Sequence, residues 1–142
     1  MDLHIDEFYT DTASALLRLY QSFPRKCTLY MDDFVGVLPH DEVGLPHPRQ
    51  LHCLSSLLWL ANEGYLRYED TIGYNAVDQA ALPQKSFVRL SSTKHPFNDG
   101  LDLTLPKSVL RAQGSLVQQL RRHLANQETE ELIAVMRFFL GD

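Results

Sequence analysis

A chain of 142 residues that is 44% hydrophobic and 22% charged has room for one domain with a real core, but not for two ordinary ones. Its formal charge of −5 argues against a protein that grips nucleic acid over a broad surface, because that affinity comes from Lys and Arg neutralising phosphates. No apolar run approaches the roughly 20 residues needed to span a bilayer, and the acidic N-terminus, Met-Asp-Leu-His-Ile-Asp-Glu, lacks the basic and apolar regions of a signal peptide. The expectation is a cytoplasmic protein with no membrane partner. Cys27 and Cys53 are isolated in apolar surroundings, which favours buried, reduced thiols over a disulfide framework.

In chain order, Ile5, Phe8, Tyr9, Ala13, Leu16, Leu17, Tyr20 and Phe23 recur at three- and four-residue steps and predict a helix with one apolar face. Pro24 ends it. Arg25 to Leu29 reads as a short extended piece, Tyr30 to Gly36 as a short helix, and Val37 to His47 as a loop with two prolines and a glycine. Pro48 suits a first helical position and opens a helix to Asn62. Leu51, Leu54, Leu57, Leu58 and Ala61, broadened by Cys53 and Leu60, form its wide buried face. Arg49, His52, Ser56, Trp59 and Glu63 remain as a narrow outward stripe flanked by Gln50 and Ser55. Glu63-Gly64 breaks this helix. Tyr65–Glu69 and Ser86–Leu90 alternate as strands, joined by a long loop in which Ala76 to Leu82 reads as a short helical turn. Ser91 to Gly100 is a loop marked by His95-Pro96 and Asn98-Asp99-Gly100.

The last third reads as helical. Thr104 is a candidate N-cap before Pro106, and Gly114 marks a kink or a close helix contact in the helix that follows. Glu128, Glu130 and Glu131 sit at the start of a final helix, where acids favour the helix dipole. Leu132, Ile133, Val135, Met136, Phe138, Phe139 and Leu140 give that helix more apolar surface than one face needs, so it closes the core or meets a partner copy.

Helix, strand, helix, helix, strand, wing and strand, over residues 5–90, resemble the winged helix-turn-helix superfamily. The residues that carry this are Cys27-Thr-Leu29, Met31 to Val35, Pro48 to Asn62, and "NEGYLRYED" followed by "SFVRLS". The expected fold is α+β and mostly helical, with a winged-helix domain over 1–95 and a C-terminal helical extension over 96–142. That extension packs on the domain or forms a dimer interface. The resemblance implies a homodimeric DNA-binding transcription regulator. In that reading Arg49, Gln50, His52, Ser55 and Ser56 meet bases or phosphates from the third helix, and Arg67, Lys85 and Arg89 contact the backbone from the wing.

Charge sorting supports this reading. Residues 71–95 carry Lys85, Arg89 and Lys94 against Asp78, and residues 105–125 carry Lys107, Arg111, Arg121 and Arg122 with no acid. The alternative is a winged-helix adaptor that binds protein and not DNA, anchored by Trp59 and by Val135, Phe138 and Phe139 of the last helix. The acidic balance and the single arginine of the stripe favour that alternative. His47, His52 and Cys53 lack metal-ligand spacing, so no metal site and no cofactor are expected. Nucleophile-elbow, phosphate-loop and dinucleotide patterns are missing, and the chain does not read as an enzyme.

Overall fold

The computed structural model describes residues 2–98 and 100–141; Asp99 of the expected 91–100 loop lies outside them. Helix α1, Leu3–Ser22, is followed by strand β1, Cys27–Tyr30, helix α2, Asp32–Val35, and helix α3, Pro48–Asn62. Strands β2, Asp70–Ile72, and β3, Ala76–Ala80, then form a hairpin. Helices α4, Gln84–Ser91, α5, Lys107–Gly114, α6, Leu116–Ala125, and α7, Thr129–Leu140, complete the chain. The three strands form one antiparallel sheet in the order β1-β3-β2, with Leu29 opposite Val77 and Ile72 opposite Ala76. The result is a mostly helical α+β fold, compatible with a winged-helix arrangement.

Local chemistry sets the ends of α3. The His47 imidazole caps its start by accepting from the Arg49 N–H at 3.0 Å, with Pro48 in the first helical position. At its end the Tyr65 N–H donates to the Leu60 carbonyl at 2.9 Å and the Gly64 N–H to the Ala61 carbonyl at 3.0 Å. This double closure needs a left-handed residue between, and Gly64, at φ 84°, supplies it. Helix α6 closes in the same way, with Glu128 N–H on the His123 carbonyl and Gln127 N–H on the Leu124 carbonyl. There the left-handed residue is Gln127, at φ 55°.

The hairpin is where the expected wing is corrected. Tyr65–Glu69 is extended, and Arg67 exchanges backbone bonds of 2.9 Å with Ala81, but the paired strands are Asp70–Ile72 and Ala76–Ala80. The predicted helical turn at Ala76–Leu82 is therefore strand, and the predicted strand Ser86–Leu90 is helix α4. Alanines are weak strand formers; here Ala76 and Ala80 are fully buried, so sheet pairing and burial decide. In α4 tertiary packing overrides the alternation. Ser86 and Leu90 point inward one turn apart, Ser86 Oγ donates to the Tyr65 carbonyl at 2.6 Å, and Phe87 stacks on Phe23 at 4.0 Å.

Helix α1 is the spine, packing on α3, α6, α7 and β1. The C-terminal helices accordingly share one hydrophobic cluster with the N-terminal module. Thr104 does not cap α5, which starts after Pro106; its hydroxyl donates to Asp102 at 2.6 Å. Gly114 ends α5 where the expected helix breaks before α6, and the close contact there is with the 95–101 loop and not with another helix. A Cβ there would fall 2.8 Å from Leu101, and the Gly114 carbonyl accepts from His95 Nε2 and Asn98 Nδ2 at 2.7 and 2.9 Å. The final helix closes the monomer core with Val135 and Phe139, both essentially inaccessible, while Phe138 stays 45% exposed. Val135 and Phe139 are therefore corrected from interface candidates to core.

Phe139→Ala is expected to cost about 3–5 kcal/mol in urea unfolding, and Phe138→Ala less than about 1 kcal/mol. Gln127→Gly relieves a left-handed non-glycine residue, and should raise stability by about 0.5–1 kcal/mol in the same assay.

Candidate functional site

Five of the eight expected contact residues, Arg49, Gln50, His52, Ser55 and Ser56, lie on α3, so its surroundings come first. Its one permanent cation is not on offer. Arg49 Nη1 and Nη2 donate to Asp11 of α1 at 2.6 and 2.7 Å, and Arg49 Nε pairs with Glu7. The Asp11 side chain is 3% exposed and that of Arg49 25% exposed. The bond to Asp11, helped by the nearby carboxylate charges and outweighing the opposing effect of burial, raises the guanidinium pKa further, so Arg49 keeps its charge. Cys53 lies beside it, and burial pushes its thiol up to about 12, with Asp11 adding to the effect. A thiol held protonated in this way is inert.

The rest of the expected stripe is also largely spoken for. Gln50 is buried and donates to the Tyr74 carbonyl at 2.8 Å, tying α3 to the hairpin turn. Ser56 is buried and donates back to the His52 carbonyl at 2.9 Å. His52 Nε2 donates to the His4 carbonyl at 2.9 Å. Ser55 is exposed. Trp59 is 42% exposed, with its ring edge-to-face on Phe8 at 5.2 Å. The outward face of α3 is therefore Leu51, Ser55, Leu58, Trp59 and Asn62, with Leu51 and Leu58 only half-buried. It is turned by about a quarter turn from the expected stripe and carries no Lys or Arg.

The expected wing cations divide among different places. Arg67 is exposed at the isolated bridge ahead of β2, but its neighbours Glu69 and Asp70 are exposed acids, and Glu69 pairs with Lys26 at 2.9 Å. Lys85 and Arg89 belong to α4. Lys85 sits 3.9 Å over the Tyr65 ring, and Arg89 Nη1 donates to the Phe139 and Gly141 carbonyls at 2.8 and 3.0 Å, closing the end of α7. These eight residues do not converge on one basic surface.

The apolar face of α3 continues into the loop before it. Asp41 Oδ1 accepts from the Val43 and Leu45 N–H groups at 3.0 and 2.8 Å, and Asp41 N–H donates to the Leu45 carbonyl. These bonds close a turn over residues 41–45, and the loop exposes Val37 and Val43 at 85% and 80%. Between this loop and the start of α3 lies a groove of about 520 Å³ lined by Pro39, Leu45, Pro46 and Leu51 among others. Sequence reasoning missed Leu51, Leu58 and these loop residues. The available signal was the density of Val and Leu in a segment with no helical or strand period. Among the described residues, no cluster of three His, Cys, Asp or Glu side chains is placed to hold a metal, and no helix is long and apolar enough to cross a membrane.

No protein-family model matches this chain, and no match was found among curated proteins or solved structures.

Removing Arg49 strands Asp11 in the core without a counter-charge. Arg49→Ala is expected to lose about 3 kcal/mol in urea unfolding, and the Asp11→Leu/Arg49→Met double variant to recover most of that loss. Equal loss in both variants would show that the pair is not coupled.

Proposed function

We propose that residues 3–82 form a winged helix whose third helix docks on a protein partner, and that the chain works as an adaptor or accessory subunit. The observation that carries this is the outward face of α3. It presents Leu51, Ser55, Leu58, Trp59 and Asn62, with the helix's only arginine sealed against Asp11 and Glu7. An exposed aromatic among aliphatic side chains is the composition of an interface centre. The groove lined by Pro39, Leu45, Pro46 and Leu51 extends that surface beyond the helix. A DNA-reading helix needs cations at phosphates as well as donors at base edges; this face carries no Lys or Arg, and its donors are Ser55, Trp59 and Asn62 alone.

The winged-helix DNA regulator is the second reading. The exposure of Arg67 and Lys85 favours it, since both could meet a phosphate backbone.

One pair of measurements separates the two readings. In mobility shifts with random duplex DNA, the protein-docking reading expects no complex even at low salt. A complex that weakens steeply with salt and with Lys85→Gln would overturn it. In affinity capture, Ser55→Glu places a charge at the centre of the exposed face at little cost to the fold. It should abolish retention of a specific partner that Lys85→Gln leaves intact.

A further inference from the structure

A second concave site lies between α4, residues 92–95, the start of α6 and the end of α7. It is a cavity of about 340 Å³. Leu116 and Phe139, both about 1% exposed, contribute its floor, and half-exposed Phe138 its wall, braced edge-on against Phe97 at 5.6 Å. Arg89, Lys94 and His95 also line it.

These three polar residues are not equivalent. His95 Nε2 donates to the Gly114 carbonyl and its Nδ1 accepts from the Phe97 N–H, so both ring nitrogens are already used within the protein. Arg89 uses Nη1 on the Phe139 and Gly141 carbonyls and the Tyr65 hydroxyl, while Nε and Nη2 have no acceptor among the described residues. Lys94 is exposed. Among the described residues no carboxylate pairs with Arg89 or Lys94, whereas Arg18, Lys26 and Arg49 each have an acid. Among the described residues this is an apolar slot bounded by two cations that no carboxylate pairs.

We infer that this cavity binds a small amphipathic carboxylate. Its alkyl chain lies along Leu116, Phe138 and Phe139, and its carboxylate meets the free edge of the Arg89 guanidinium, with Lys94 beside it. The planar guanidinium matches a carboxylate in shape and hydrogen bonding. The volume, near the lower end for ligand pockets, suits a medium-length chain and not a full-length lipid. This site is independent of the α3 face and does not rest on the protein-docking reading.

The test is titration of the full chain with octanoate, followed by calorimetry and by amide NMR shifts. Octanol serves as the uncharged control and acetate as the control without a tail. Octanoate is expected to bind at least about tenfold more tightly than either, because each control lacks one of the two contacts. The perturbed amides should cluster at Leu116, Phe138 and Phe139. Lys94→Glu, at an exposed position, should weaken octanoate by about tenfold and leave octanol unchanged, as charge reversal beside a carboxylate requires. Arg89→Gln should weaken it more, but Arg89 also closes α7, so Lys94→Glu is the deciding variant. Equal affinity for octanoate and octanol, no effect of Lys94→Glu, or shifts confined to the α3 face would each overturn the assignment.

Discussion

The arrangement turns on one guanidinium. Arg49 sits between Asp11 and Glu7, with Asp11 almost wholly withdrawn from solvent. A carboxylate in such a place is tolerated only when a cation of the right shape meets it. That requirement fixes the rotation of α3 about its own axis relative to α1. Once the rotation is fixed, Gln50 faces the hairpin turn, Ser56 faces inward, and Leu51, Ser55, Leu58 and Trp59 are left outside. The pair thus acts on both stability and chemistry. It ties the second half of the helical module to its spine, and it takes the only charge of α3 away from the solvent face.

Helix α1 carries this constraint further, because α6 and α7 pack on it as well. The end of α7 is fastened again from the other side. Tyr65 donates its hydroxyl proton to the Leu140 carbonyl at 2.9 Å, and Arg89 bonds to the Phe139 and Gly141 carbonyls. Carbonyls at a helix C-terminus have no partners within the helix and carry partial negative charge, so a guanidinium is well matched to them. The last helix is thereby locked to the residue that follows the Gly64 turn. The N-terminal module and the C-terminal helices consequently share one core.

Much of the helical framework was legible in the residue pattern, because it rests on local rules. The periodic apolar positions of α1, Pro48 at the start of α3 and Gly64 at its end have the same meaning in any chain. The hairpin was not legible, since Ala76, Val77 and Ala80 become a strand only through pairing with Cys27–Tyr30 on one side and Asp70–Ile72 on the other. Helix α4 was hidden for a related reason. Phe87-Val-Arg-Leu90 alternates like a strand, and only the aromatic stack with Phe23 and the buried hydroxyl of Ser86 show which period applies. On α3 polarity is a poor sign of exposure. Gln50, Ser56 and Arg49 are polar and wholly or partly buried, each satisfied by a partner, two of them distant in sequence. No local pattern encodes those partners.

Trp59 has a consequence of a different kind. It is the only tryptophan in the chain, it is 42% exposed, and it lies on the outward face of α3 against Phe8 of α1. Its fluorescence therefore reports one place, the seam between α1 and α3, without any label. A blue shift on mixing would mark loss of water at that seam, and collisional quenching by acrylamide would measure how much of the ring remains open. During unfolding the same signal follows the seam alone, while circular dichroism follows the helices as a whole. Any lag between the two would reveal the seam opening before the rest of the core.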